Sequence, residues 1–367
     1  MHPDWIEWKN VFELQLEELQ ELQRSVRLLP TQRIYVHALV SYALRDLSEL
    51  KKNYAASQAL NPKDADSGEL QEAIQLRIAI LEKSEISVSA IDEKSPAWRG
   101  ELSFLQAKLL EVHGKFAEAA QLYERAATFF TQDQAQKKAL KSSFNASILR
   151  GKTSPAGKGL HILHAIVERA VAIGDHGVHF AATQNLAWEL SQIGAFSVAL
   201  QILNQTLEQN VSSENTADSV QVRILLCDLL LASGLGAEAQ LEKERCIAAG
   251  PEEARMILEL SERYWAPESK LSLSENEART LPFPWNERWL QRMRHGATPP
   301  RLTEQECRII EVLMKGPLDR AALISALFGT HADESVELTR FYSILKRLRK
   351  KIPGIISFED ELYSLSS

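Results

Sequence analysis

Small residues recur at matching places in successive helical segments of this chain, and that recurrence limits its fold more than any other feature. In LQAKLLEVHGKFAEAAQLYERA, Gly114 and Phe116 mark a break between two apolar-periodic segments, and Ala119, Tyr123 and Ala126 follow on the second. NLAWELSQIGAFSVALQILNQTL repeats the relation with Gly194, Phe196, Ala199 and Leu203, and CDLLLASGLGAEAQ repeats it with Gly234, Gly236 and Ala239. FNASILRGKTSPAGKGLHILHAIVERA fits between the first two copies through Ala146, Leu149 and Gly159. The spacing is about 40 residues. An Ala or Gly at a helix crossing lets two backbones approach, so each helical hairpin can bury its face on the next.

This pattern resembles the tetratricopeptide repeat over residues 100–250, with a longer period and without the proline that usually follows the second helix. The resemblance implies an array that binds a protein or peptide. In that setting Asn185, on the first helix of its copy, and Trp188 are candidate partner-binding residues. Trp98, Trp188 and Trp265 also suit an inter-repeat core, since such rings usually bury. Upstream, DWIEWKNVFELQLEELQELQRSVRLL, YVHALVSYALRDLSELKKNYAASQAL and GELQEAIQLRIAILEKSEI read as further helices, less regular in their small residues. Terminal repeats are expected to be atypical because one face meets water.

The expected fold is mainly α. An α-solenoid of tetratricopeptide-like hairpins covers 1–265, and a Pro- and Ser-rich linker covers 266–300, where RWLQRMRHGATPPRL has room for a short strand pair. A small domain follows over 301–367. Within it, LTEQECRIIEVLMKG opens with a capping box, Thr303 and Glu306, and lines one face with Ile309, Ile310 and Leu313. LDRAALISALFG is a second helix, with Asp319 as cap and Gly329 as stop. A third helix runs from about Asp333 to Ile352, and GIISFEDELYSL ends the chain as two alternating runs about an acidic turn.

LTEQECRIIEVLMK, LDRAALISALFG and SILKRLRKKI in this order resemble the winged helix-turn-helix domain of the OmpR/PhoB class, three helices plus a β-hairpin. The resemblance implies a transcriptional regulator whose third helix enters the DNA major groove. It also implies a wing beside the phosphates and a loop before helix three that meets RNA polymerase.

On a helical wheel, Leu338, Phe341, Leu345, Leu348 and Ile352 share the core face. Val336, Arg340, Ser343, Arg347 and Lys350 lie opposite, flanked by Thr339, Lys346 and Lys351. These eight are the candidate DNA-binding residues, since Arg can address guanine edges and Lys and Ser can anchor on phosphates. Arg349 falls nearer the core, as a structural residue paired with an acid of helix one or two. Two features oppose DNA: the hairpin tip is Glu359-Asp360-Glu361, and residues 301–367 hold as many acids as bases. A homodimer on two half-sites would compensate. The rival reading is an interaction scaffold whose winged helix docks a protein.

Composition narrows the remaining classes. The net charge is -7, so any nucleic-acid contact must be local. Asp4 and Glu7 interrupt the N-terminal segment where a signal peptide needs an apolar core, and no later stretch approaches a membrane span, so a cytoplasmic location is expected. Cys227, Cys246 and Cys307 are isolated and read as core residues. His161, His164, His176 and His179 form two i, i+3 pairs without the carboxylate or thiolate partners zinc needs, so neither metal nor cofactor is expected. No nucleophile elbow, Walker loop or dinucleotide fingerprint is present, which points away from catalysis.

Overall fold

The structure, a computed structural model, describes residues 16–24, 28–60, 66–86, 94–153, 157, 159–209, 217–249, 299–329 and 334–366, with isolated positions 11, 14, 90, 91 and 259. It is mainly helical and carries one small three-stranded sheet near its C-terminal end. The chain divides into two compact units, residues 1–154 and 155–367. That division falls inside the copy that holds Ala146, Leu149 and Gly159. Residues 266–298 of the expected 266–300 linker, with most of its strand-pair stretch, and Trp265 lie outside the described residues.

The first unit contains α1 (Leu16–Gln23), α2 (Pro30–Ala43), α3 (Leu47–Gln58), α4 (Ser67–Glu82), α5 (Pro96–Val112), α6 (Phe116–Gln132) and α7 (Gln136–Thr153). From α1 onward, each helix packs on its successor. Local signals set the boundaries. Pro30 and Pro96 occupy first-turn positions where no amide partner is needed, and the Asp46 carboxylate accepts from Glu49 N at 3.0 Å. Gly114, at φ 75°, makes the turn between α5 and α6. Close approach follows from small residues: a Cβ at Gly100 would fall 2.8 Å from two ring carbons of Phe130. Ala119, Ala120, Tyr123 and Ala126 of α6 are buried, as the recurring pattern requires.

An ionic group sits inside this unit. Arg77 of α4 and Glu101 of α5, both almost fully buried, form an ion pair. Tyr35 Oη donates to Glu101 Oε1 at 3.0 Å, and Lys138 Nζ donates to Oε2 at 3.2 Å. The guanidinium also lies over the Tyr35 ring, 5.0 Å from its centre. Burial alone would raise the Glu101 pKa, but Lys138 and Arg77 outweigh it and hold the carboxyl at about 2.

The second unit begins with α8 (Leu160–Ile173), α9 (His176–Gln192), α10 (Phe196–Gln209), α11 (Ala217–Ser233) and α12 (Gly236–Ala249). Again each helix packs on the next, and α9 also meets α11. Gly174, Gly194 and Gly234 end α8, α9 and α11 with φ between 68° and 81°. Trp188, Leu186 and Leu190 of α9 are buried.

The remainder forms a three-helix module: α13 (Glu304–Met314), β1 (Leu318–Asp319), α14 (Arg320–Phe328), α15 (Glu334–Lys351), β2 (Ile356–Glu359) and β3 (Leu362–Leu365). The sheet order is β1-β3-β2, antiparallel throughout. The capping box forms as expected: Glu306 N donates to Thr303 Oγ1 at 3.4 Å and Thr303 N donates to Glu306 Oε2 at 2.7 Å. Asp319 caps α14 through Ala322 N at 2.7 Å. The short β1 was not anticipated; two residues are too few to show alternation, and they become a strand by pairing Leu318 with Tyr363.

Candidate nucleic-acid interface on α15

Helix α15 is fixed by an apolar stripe of Phe341, Ile344, Leu345 and Leu348, all buried. Burying each such side chain is worth about 1.5–3 kcal/mol, which anchors the helix by one side only. Phe341 meets the Tyr363 ring of β3 edge-on at 5.6 Å, so the sheet seats the same stripe. The stripe is rotated from the expected one. Ile344 joins the core, Leu338 and Ile352 are half-buried, and Arg349 is exposed. The inward, paired role expected for Arg349 is therefore corrected: its position on the wheel borders the stripe, and Ile344 takes the buried place.

Of the eight expected DNA-binding residues, Val336, Thr339, Arg340, Ser343, Lys346, Arg347 and Lys350 are exposed, and Lys351 is half-buried. They do not act alike. Arg340 Nη1 donates to Glu337 Oε1 at 2.9 Å, and its guanidinium lies over the Phe328 ring at 5.3 Å. Lys351 Nζ donates to Glu306 Oε2 at 2.6 Å and to Arg301 O at 2.9 Å. Arg347 Nε stands 3.7 Å from the other Glu306 oxygen. Lys351 is thus an internal tie, and Arg340 and Arg347 are partly engaged within the protein. Pairing that the wheel assigned to Arg349 is made by its neighbours, because Glu306 faces the last turn of α15 from the start of α13.

What remains open is a row of Lys346, Arg349 and Lys350 with Ser343 and Tyr342 beside it. Lys346 and Lys350 form no ion pair among the described residues. Ser343 Oγ donates to Thr339 O at 2.9 Å. Tyr342 is exposed, and its hydrogen bond with Arg320 lowers the pKa of its hydroxyl. Arg320 and Arg349 both bear on Tyr363 as well, so they add positive potential where α15 meets the sheet.

The hairpin tip closes in two residues, Asp360 and Glu361, at φ 50° and 64°. This is the mirror-image turn that suits the strand twist and normally takes Asn-Gly. Glu359, Asp360 and Glu361 are exposed, and among the described residues none is in an ion pair with α15. Phe358 and Leu362 flank the tip and are also exposed. The loop at 330–333, expected to meet RNA polymerase, lies outside the described residues.

Comparison of the chain with protein-family models, with curated proteins and with solved structures finds no match.

The helical-array candidates fare differently. Trp188 is only 3% exposed, so as a partner-binding ring it is corrected to a core residue; its apolar area favours burial. Asn185 is half-buried and donates to Ala181 O of its own helix at 2.8 Å. All three cysteines are free and buried. His179 is buried while His176 on the same face of the turn is exposed, and among the described residues no three potential ligands are placed to hold a metal. Among the described residues no helix is long and apolar enough to cross a membrane.

Between α10 and α13 lies a cleft of about 540 Å³, whose lining includes Ser197, Gln201, Gln305, Cys307, Arg308 and Leu327. Burial raises the Cys307 thiol above its usual pKa, which keeps it protonated and unreactive.

Proposed function

We propose that the chain is a DNA-binding regulator in which the three-helix module is a winged helix and the array is a tetratricopeptide-like solenoid that binds a protein or peptide. The observation that carries this reading is the open face of α15. Lys346, Arg349 and Lys350 are exposed on a helix whose other side is anchored by Phe341, Ile344, Leu345 and Leu348. A helix held by one side and basic on the other suits a groove lined by phosphates. The order of helices, the strand before α14 and the terminal hairpin support the same reading.

The contact residues differ in role from the sequence expectation. Lys346 and Lys350 are phosphate anchors, Arg349 is the arginine placed to address a base edge, and Arg340 must leave Glu337 before it can contribute. Binding by the full chain to duplex DNA, followed by fluorescence anisotropy across a salt series, tests this. Each lost phosphate contact should reduce the slope of log K against log salt by about 0.9. A Lys346→Ala/Lys350→Ala variant with an unchanged slope, or a wild-type protein without measurable affinity, would discard the proposal.

A protein-docking module is the second reading. It is favoured by the exposed Phe358, Leu362 and Tyr342 together with three exposed tip acids, a surface that phosphates would repel. Absence of DNA binding in the wild type would favour it.

A further inference from the structure

We propose that the segment Pro300–Thr303 is a coupling strap that pins the module to helices α9–α11 and hands their position to the basic end of α15. Its regulatory consequence rests on the DNA-binding reading above; the strap itself does not.

The contacts run in order along the segment. The Pro300 carbonyl lies directly on Gly194, where a Cβ would fall 1.4 Å from the oxygen. Leu302 N donates back to Gly194 O at 3.4 Å. The Arg301 side chain donates to Ala232 O at 3.1 Å, at the carbonyl end of α11 where backbone acceptors are unsatisfied and the helix dipole is negative. The Arg301 carbonyl, on the other side, accepts from Lys351 Nζ at 2.9 Å. Thr303 then caps α13, and Glu306 Oε2 gathers both the Thr303 amide and the Lys351 ammonium. One residue of strap therefore separates α11 from the last turn of α15.

A parallel apolar column reinforces it. Gly157 is wedged between Ile193, at the end of α9, and Ile355, just beyond α15. A Cβ there would fall 2.7 Å from Ile355 and 2.9 Å from Ile193. Helix α13 meanwhile packs on α8 and α10, with Cys307 and Ser197 in hydrogen-bond contact. Lys351 is the basic residue of α15 in these contacts, while Lys346, Arg349 and Lys350 stay exposed.

One atom gives the junction room to shift. Glu306 Oε1 is buried and, among the described residues, lacks a hydrogen-bond partner, while Arg347 Nε stands at 3.7 Å. A movement of α15 of about 0.5 Å would bring that pair within hydrogen-bond range. A buried carboxylate oxygen one short step from a cation marks a place where two arrangements differ by a single bond. A ligand of the array that favours one placement of α9–α11 shifts that balance, and with it the placement of Lys346, Arg349 and Lys350.

Gly194 and Gly234 make a matched pair for the test. Both turn glycines have φ near 80°, but Gly234 has nothing within 4 Å of an added Cβ. Gly194→Ala expels the strap; Gly234→Ala carries the same backbone strain without it. The full chain is followed by hydrogen–deuterium exchange of residues 304–314 and 334–351, without DNA, after circular dichroism has shown each variant folded. Exchange in both helices should rise at least tenfold in Gly194→Ala and stay near wild type in Gly234→Ala. Equal exchange in the two variants overturns the strap. If Gly194→Ala does not fold, Arg301→Ala decides: faster exchange in α13 and α15 supports the strap, and wild-type exchange overturns it. A wild-type chain that ignores duplex DNA removes the DNA reading and leaves this result standing.

Discussion

Lys351 Nζ, on the last turn of α15, lies 2.6 Å from Glu306 Oε2, on the first turn of α13, and the same carboxylate oxygen accepts the Thr303 amide. One acid therefore starts one helix and holds the end of another. Burial would raise the Glu306 pKa, but Lys351 and Thr303 outweigh it and hold the carboxyl below its ordinary range. Such a group contributes stability that is present above its unfolded pKa and lost as pH falls through the folded value. Wild-type thermal midpoints should therefore decline below about pH 4.5, and Glu306→Gln should flatten that decline. At neutral pH, Glu306→Ala should cost about 2 kcal/mol in a denaturant titration, from the lost cap and the abandoned Lys351.

The buried Arg77–Glu101 pair gives a larger effect with a different pH window. Glu101→Gln leaves a guanidinium inside the first unit without its counter-charge and should cost about 3–5 kcal/mol. The double variant Arg77→Met/Glu101→Leu should recover part of that loss, because the fully buried guanidinium is gone, although Tyr35 and the partly exposed Lys138 lose their partner. A double-mutant cycle by urea unfolding measures the difference. With Glu101 held at about 2, its contribution is complete above about pH 4.5 and disappears only as pH falls towards 2. Acid unfolding of this unit should thus extend to lower pH than that of the Glu101→Gln variant.

Gly100 tests how closely α5 and α6 must approach. Gly100→Ala would place a methyl 2.8 Å from the Phe130 ring, so the ring or the helix must shift. Overpacking of this kind should destabilise by about 1–3 kcal/mol. Adding Phe130→Leu should restore part of the stability, measured by the same urea titration, if the clash is with that ring.

Signals confined to a few neighbouring residues were legible in the sequence, and contacts across longer separations were not. Thr303 and Glu306, Asp319, Gly329 and the turn glycines 114, 194 and 234 announce their roles because capping and positive φ are local demands. The partners of Arg347 and Lys351 could not be read, since Glu306 lies on another helix and only the packing of α13 on α15 brings it there. The helical wheel turns Arg349 inward and gives Ile344 no place, although Ile344 borders the stripe and is buried; packing against Tyr363 sets the centre of that stripe. Gly194 shows the mixed case: the turn was legible, but the backbone of Pro300 lying on it was not.

The hairpin tip joins stability to binding in one substitution. Asp360 and Glu361 occupy two successive left-handed positions, where a side chain other than Asn or Gly is strained. Asp360→Asn/Glu361→Gly should relieve that strain and stabilise the chain by about 1 kcal/mol in thermal unfolding. It also removes two of the three tip acids. If α15 lies in a groove with the hairpin beside the phosphates, DNA affinity should rise several-fold at low salt and the gain should shrink as salt increases, because Coulomb repulsion is screened. A stability gain with no change in affinity would mean that the tip lies away from the duplex, and a loss of partner-protein binding with the same variant would transfer the acidic tip to the docking reading. The two measurements separate the backbone role of these residues from their charge, since the first depends on φ and the second on the carboxylates.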